Sequence, residues 1–255
     1  MRPLQRYHFP ELPSTNDKAK ELSTHYAVNE FLVVTADVQT SGRGRNGKTW
    51  LGEYGDNVYC SFATRHSGMS EKSTAELAAY QVRGALSVIG AVRSFMPPML
   101  RGNVLLKYPN DVLMLDVTTE RKKISGVLVE HEFIGSRCVG TVVGIGINVR
   151  QQVFPPDLAS KASSLLLCGV NTTVEEIVNA LMEEWKQVLE IPLSEIFDRW
   201  WEELNLKGAS VAISGSSEEW TALRLNADGT LLVENQNGEK RVVTNGDSLQ
   251  RLDWR

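Results

Sequence analysis

The sequence predicts an α+β fold, a large mixed domain followed by a small all-β one, on three observations. From 104 to 149 four apolar runs follow one another between turn residues: VLLK, VLMLD, KISGVLVEHEF and RCVGTVVGIGINV. From Glu71 to Phe95 the apolar positions Ala75, Ala78, Val82, Ala85, Ile89 and Val92 instead keep a helical period, which Pro97-Pro98 stops. Near Leu206 the pattern changes to short β runs (SVAI, TALRL, TLLVE, KRVVT) divided by Ala227-Asp228-Gly229, Asn237-Gly238 and Asn245-Gly246, which are strong hairpin signals. The expected division is one domain over 1–206 and a β-barrel of roughly SH3 size over 207–255.

The remaining elements follow in order. Residues 15–26 place Ala19, Leu22 and Tyr26 on one helical face, with Ser14, Thr15 or Asn16 available as cap. FLVVTAD (31–37) reads as a buried strand, and NVYCSFATR (57–65) as a strand turning Val58, Cys60 and Phe62 inward. Thr173 with Glu176 forms a capping box for a helix running through Ile177, Leu181, Trp185 and Val188. After Pro192 a further helix carries Ile196, Phe197, Trp200 and Leu204.

Composition excludes several classes. Lys and Arg number 27 against 31 Asp and Glu, so no whole-molecule basic footprint for nucleic acid exists. The tail from 207 has six basic and seven acidic residues, and carries no basic stripe either. Three cysteines without C-x-x-C spacing argue against a disulfide framework and suit a reducing, cytoplasmic compartment. The histidines do not pair at i, i+4, which leaves no protein metal cluster to propose. Neither a membrane span nor a signal-peptide core is expected.

GRGRNGKT (42–49) fits the phosphate-loop pattern G-x-x-x-x-G-K-[ST]. A phosphate loop needs a helix directly after it, and TWLGEYGDNVYC offers turn residues and then a strand. The segment is read instead as a loop of three cations, Arg43, Arg45 and Lys48, with no acid from Val38 to Leu51. Such a loop can pair with phosphate or carboxylate through its arginines, or simply be solvated.

Taken together, Ser14-Thr15-Asn16, Gln39 with GRGRNG and Trp50, KYPND (107–111), KISGVLVE (123–130) and GIGIN (144–148) stand in the order and approximate spacing of biotin protein ligases. The sequence resembles that family over about 12–150, and its tail is similar to the family's C-terminal SH3-like domain. The resemblance implies a catalytic domain of the class II aminoacyl-tRNA synthetase/biotin ligase type. It implies two half-reactions: biotin and ATP give biotinyl-5′-AMP, and a lysine of a biotin carboxyl carrier domain then takes the biotinyl group. A divalent ion, most simply Mg2+, would accompany ATP. The enzyme would be a monomer or homodimer.

The resemblance also assigns residues. Lys123, chosen over Lys122 because it precedes Ile124-Ser125-Gly126, matches the catalytic lysine, with Arg43, Arg45 and Asp111 beside it. Biotin would be held by Ser14, Thr15, Gln39, Gly42, Arg43, Arg45, Lys123, Gly126 and Gly144, and ATP by Arg45, Trp50, Lys107, Asn110 and Asn148. Asp111 is the candidate magnesium contact, and Gly140 marks a bulge. Two departures are visible: Tyr108 stands where the family usually has Trp, expected at the nucleotide wall, and the turn VTTERK (117–122) is long. Only thirteen residues precede Ser14, so a winged-helix DNA-binding domain is not expected. The rivals are a lipoate- or octanoate-type acyl ligase on the same fold, a phosphate-loop NTPase and a catalytically silent binding module.

Overall fold

Seven strands form one mixed sheet in the computed structural model, which describes residues 4–68, 71–116, 120–244 and 249–252. They are β1 (Gln5–Leu12), β2 (Phe31–Gln39), β3 (Asn57–Arg65), β4 (Val104–Lys107), β5 (Asp111–Leu115), β6 (Arg121–Ile134) and β7 (Arg137–Asn148), in the order β1-β2-β3-β7-β6-β5-β4. β1 runs parallel to β2, and the other described pairings are antiparallel. Four helices accompany them: α1 (Thr15–Ser23), α2 (Thr74–Ser94), α3 (Val174–Leu189) and α4 (Leu193–Leu204). A second, five-stranded antiparallel sheet holds β8 (Ser210–Ile213), β9 (Glu219–Leu225), β10 (Leu231–Asn235), β11 (Lys240–Val243) and β12 (Leu249–Arg251), in the order β11-β10-β9-β8-β12.

The large sheet is covered on both faces, and the coverings differ. Val58, Cys60 and Phe62 of β3 join Val143, Ile145 and Ile147 of β7 in the main core beneath α2, α3 and α4. There Trp185 stacks on Phe62 at 4.3 Å and is fully buried. The opposite face carries α1, whose Ala19 packs with Leu32, Val34, Ala36, Ala63 and Val142 in a smaller cluster. NVYCSFATR was therefore only half described by an inward alternation: Tyr59, Ser61 and Ala63 are buried too, Ser61 and Ala63 against α1. Gly84 lets α2 approach β6 and β7, since a Cβ there would lie 2.7 Å from Val127 Cγ1.

Two strands had no clear sequence signal. β1 contains Pro10, which has no register partner in β2 and is tolerated because the strand lies at the sheet edge. Tyr7 and Phe9 pack on the smaller cluster, while Arg6 reaches across to Glu175 of α3 in a bidentate pair at 2.7 and 2.9 Å. β12 is three residues long, too short for a periodic pattern. Both capping boxes form, Thr173 with Glu176 and, unanticipated, Ser73 with Glu76 at the start of α2. The register of β6 on β7 shifts next to Gly140, where the bulge was expected. Residues 117–119 of the long turn, and the Asn245-Gly246 signal, lie outside the described residues.

Candidate active site

The α1 side of the large sheet carries the site, because glycine replaces apolar side chains there. In β7 Gly144 and Gly146 alternate with Val143, Ile145 and Ile147, so one face is core and the other a slot floor. The floor is already in use. A Cβ on Gly144 would lie 2.2 Å from Asn16 Oδ1, and one on Gly146 would lie 2.4 Å from the Trp50 ring. A Cβ on Gly126 of β6 would likewise lie 3.0 Å from the Trp50 ring and 3.1 Å from Lys123 Nζ.

Two adjoining cavities meet at Trp50. The first is lined at its polar end by Ser14, Thr15, Asn16 and Gln39 and at its floor by Gly126, Gly144 and Gly146. The second is lined by Asp111, Asn148 and Gln151 and by the apolar Leu51, Phe154, Pro155 and Leu158. Arg45, Trp50, Asn110 and Lys123 line both, so the junction holds two cations.

Each junction residue is held by a named partner. Lys123 Nζ lies 2.6 Å from Asp111 Oδ1 and 5.4 Å from the centre of the Trp50 ring. Its backbone is pinned from the other side, where Lys123 N–H donates to Lys161 O and Ser163 N–H to Lys123 O. Lys122, one residue earlier, instead pairs with Asp116 at 2.8 Å and Glu120 at 3.3 Å and lines neither cavity. Arg45 Nη1 donates to Asn110 Oδ1 at 3.0 Å, and Asn110 Nδ2 donates to Val127 O.

The loop over the site is anchored by acids that come from elsewhere in the chain. Arg43 grips Asp17 of α1 with two hydrogen bonds of 2.7 Å and comes within 3.4 Å of Glu130. The Arg43 guanidinium holds the Asp17 carboxyl below its usual range. Inside the loop a single 3₁₀ turn spans Arg45–Gly47, with Asn46 and Gly47 at φ 56° and 72°. The next regular element is β3, at Asn57. The helix that a phosphate loop requires is absent, so that reading is excluded.

Some expected residues sit elsewhere. Gly42 lines neither of the two cavities, and its bare Cα lets the loop close on itself, since a Cβ would lie 2.6 Å from Trp50 O. Lys107 ends β4 opposite Asp111 and also lies outside both linings. Tyr108, expected at the nucleotide wall, lines neither cavity. It is buried on the far side, stacked on Trp200 with ring centres 5.5 Å apart, and its hydroxyl lies 3.1 Å from Gly229 O and 3.3 Å from Val243 O. Asn148 faces the second cavity and also fastens its wall, donating from Nδ2 to Ser163 O at 3.0 Å.

The residues that sequence reasoning missed are Asp17, Ser61, Glu130 and Gly146, with Asn16 seen only as a motif letter and helix cap. Ser61 and Glu130 look like ordinary strand residues, and only the fold brings them to α1. Gly146 was visible, because GIGIN alternates glycine with isoleucine. Among the described residues no three His, Cys, Asp or Glu side chains gather to hold a metal.

The model of the biotin/lipoate A/B protein ligase family matches residues 9–148, more than half of the chain. The bifunctional ligase/repressor BirA of Bacillus spizizenii is 28% identical over 244 residues, 91% of this chain and 70% of its own length. The bifunctional ligase/repressor BirA of Bacillus subtilis is 34% identical over 158 residues, 60% of this chain and 44% of its own. A biotin protein ligase from Aquifex aeolicus, solved in complex with biotin and ATP, aligns with a TM-score of 0.73 and 26% identity over 97% of this chain and 99% of that one. The chain belongs to the biotin/lipoate A/B protein ligase family. Its fold is that of the biotin protein ligase structures, a mixed sheet with helices and a small antiparallel sheet behind it.

Proposed function

We propose that this chain is an ATP-dependent, AMP-forming biotin protein ligase. Biotin enters the first cavity and ATP the second. The biotin carboxylate oxygen attacks the α-phosphorus, pyrophosphate leaves, and biotinyl-5′-AMP forms at the junction. A lysine amine of a biotin carboxyl carrier domain then attacks the acyl carbon, AMP leaves with the bonding pair, and the amine proton is lost.

The observation that carries this reading is that Lys123 and Arg45 line both cavities. Two anions must meet there, and fixed cations at the meeting point stabilise the charge that builds on the phosphate oxygens. Thr15 and Gln39 suit the ureido ring, and Trp50 closes the junction against water, which would hydrolyse a mixed anhydride. Asn110 and Asn148 face the nucleotide. Magnesium would arrive on the phosphates, with Asp111, the one carboxylate in the second cavity's lining, as its protein contact.

The proposed division of the chain is 1–206 and 207–255, a reading supported by the two separate sheets. A lipoate- or octanoate-type ligase remains the second reading, and the polar end of the first cavity disfavours it, since those acids have no ring N–H or carbonyl to match. The test is incubation with ATP, magnesium, labelled biotin and a carrier domain. Label on a carrier lysine, dependent on ATP, is expected. Equal or better transfer of lipoate, or ATP hydrolysis that ignores biotin, would reject the proposal.

A further inference from the structure

Behind the first cavity five side chains, from Glu130 to Gln39, form a single hydrogen-bonded file. The Glu130 carboxylate of β6 has no proton to give, so the end of the Asn16 amide 2.5 Å from Oε2 is its NH2. Oδ1 therefore points the other way, toward Ser61 Oγ at 2.6 Å, and takes the one hydroxyl proton Ser61 has. Ser61 then offers only lone pairs to Thr15 Oγ1, 2.8 Å away. On its other side Thr15 meets Gln39 Oε1 at 3.0 Å, and that atom must be the oxygen because the Thr15 main-chain N–H also donates to it, at 2.7 Å.

The Thr15 hydroxyl thus stands between two acceptors. Its proton is used within the protein, and lone pairs are what it presents to the cavity. Gln39, with its oxygen turned to Thr15, keeps its NH2 for a ligand carbonyl. Ser61 is fully buried and Thr15 and Asn16 nearly so, which keeps out the water that would let these protons reorient. The missing Cβ of Gly144 seats the Asn16 amide, and Arg43 supplies the countercharge, with Nη2 3.4 Å from both Glu130 oxygens.

We propose that Glu130 is a positioning residue for substrate selection: through Asn16 and Ser61 its carboxylate fixes Thr15 as an acceptor, and the site selects a ring presenting N–H beside C=O. This rests on the reading that the first cavity takes biotin. The test uses calorimetry on the full chain with biotin and two cyclic-carbamate analogues, each with one ring N–H replaced by oxygen. The wild type is expected to bind one analogue at least about tenfold more weakly than biotin, since an acceptor then faces an acceptor. In Glu130→Gln an amide can offer either end to Asn16, and in Glu130→Ala water can, so in both the biotin/carbamate ratio should fall at least about fivefold. Lost charge near Arg43 affects all three ligands alike and cancels in the ratio. A ratio unchanged in both variants, or a wild type that does not discriminate, overturns this inference while leaving biotin ligation standing. A wild type that binds no biotin overturns both.

Discussion

Gly144 and Gly146 lie two residues apart on one strand, yet what each accommodates differs, and so should the effect of adding a methyl. At Gly146 a Cβ would meet the Trp50 ring, which belongs to the covering loop and can swing with it. At Gly144 it would meet the Asn16 amide, held from both sides by Glu130 and Ser61 and unable to leave without stranding buried polar groups. Leaving such groups unpaired costs about 1–3 kcal/mol. Gly144→Ala should therefore weaken biotin binding about 10- to 100-fold by calorimetry, and Gly146→Ala considerably less. Equal losses would mean that glycine serves both positions only by leaving room for the ligand. Read from the sequence, only Gly144 of the two was placed beside biotin; what the letters could not show is that Asn16 of α1, about 130 residues earlier, supplies the group it meets.

At the scale of elements, the sequence was most legible where one period dominates: α3 with its capping box, β7 with glycine and isoleucine alternating. It was least legible where tertiary position overrides local preference. β1 is a proline-containing strand that only an edge permits, and the cationic loop reads as unpaired because both its acids lie outside it. That loop is fastened to α1 by Arg43 and Asp17, whose side chains are about half exposed. Because Arg43 lowers the Asp17 carboxyl, the folded chain takes up that proton less readily than the unfolded one. The clasp is thus whole above the ordinary carboxylate range and is lost as pH falls through the depressed value. An exposed pair of this kind holds its partners by a factor of about two to five. Asp17→Asn should therefore raise trypsin cleavage after Arg43, Arg45 or Lys48 by that factor at neutral pH, measured by peptide mapping. An unchanged cleavage rate would show that the Arg45–Asn110 bond and Trp50 hold the loop without α1.

Across the whole molecule, the change of pattern at Leu206 marks a change of architecture without a break in packing. Trp200 and Leu204 of α4 share one apolar core with Leu206 of the connection and with Val211, Trp220 and Leu231 of the small sheet. Tyr108 fastens this junction, stacked on Trp200 beneath the turn at Gly229, where the backbone is left-handed at φ 78°. Burial pushes its phenol up to about 12, so the hydroxyl stays protonated and donates at any physiological pH. The departure Tyr108 makes from the family's usual Trp is therefore a matter of how the two sheets join, with the second cavity two residues further on at Asn110. Tyr108→Phe keeps the stacked ring and removes the proton shared by Gly229 O and Val243 O, a loss of about 1 kcal/mol. For a chain of this size that corresponds to a fall of about 2–4 °C in melting temperature, still in one transition because the core is continuous. Biotin and ATP binding should stay within about twofold, since the ring faces neither cavity. A split melting curve would mean that the small sheet unfolds on its own, and a large rise in the ATP dissociation constant would put Tyr108 back at the nucleotide wall.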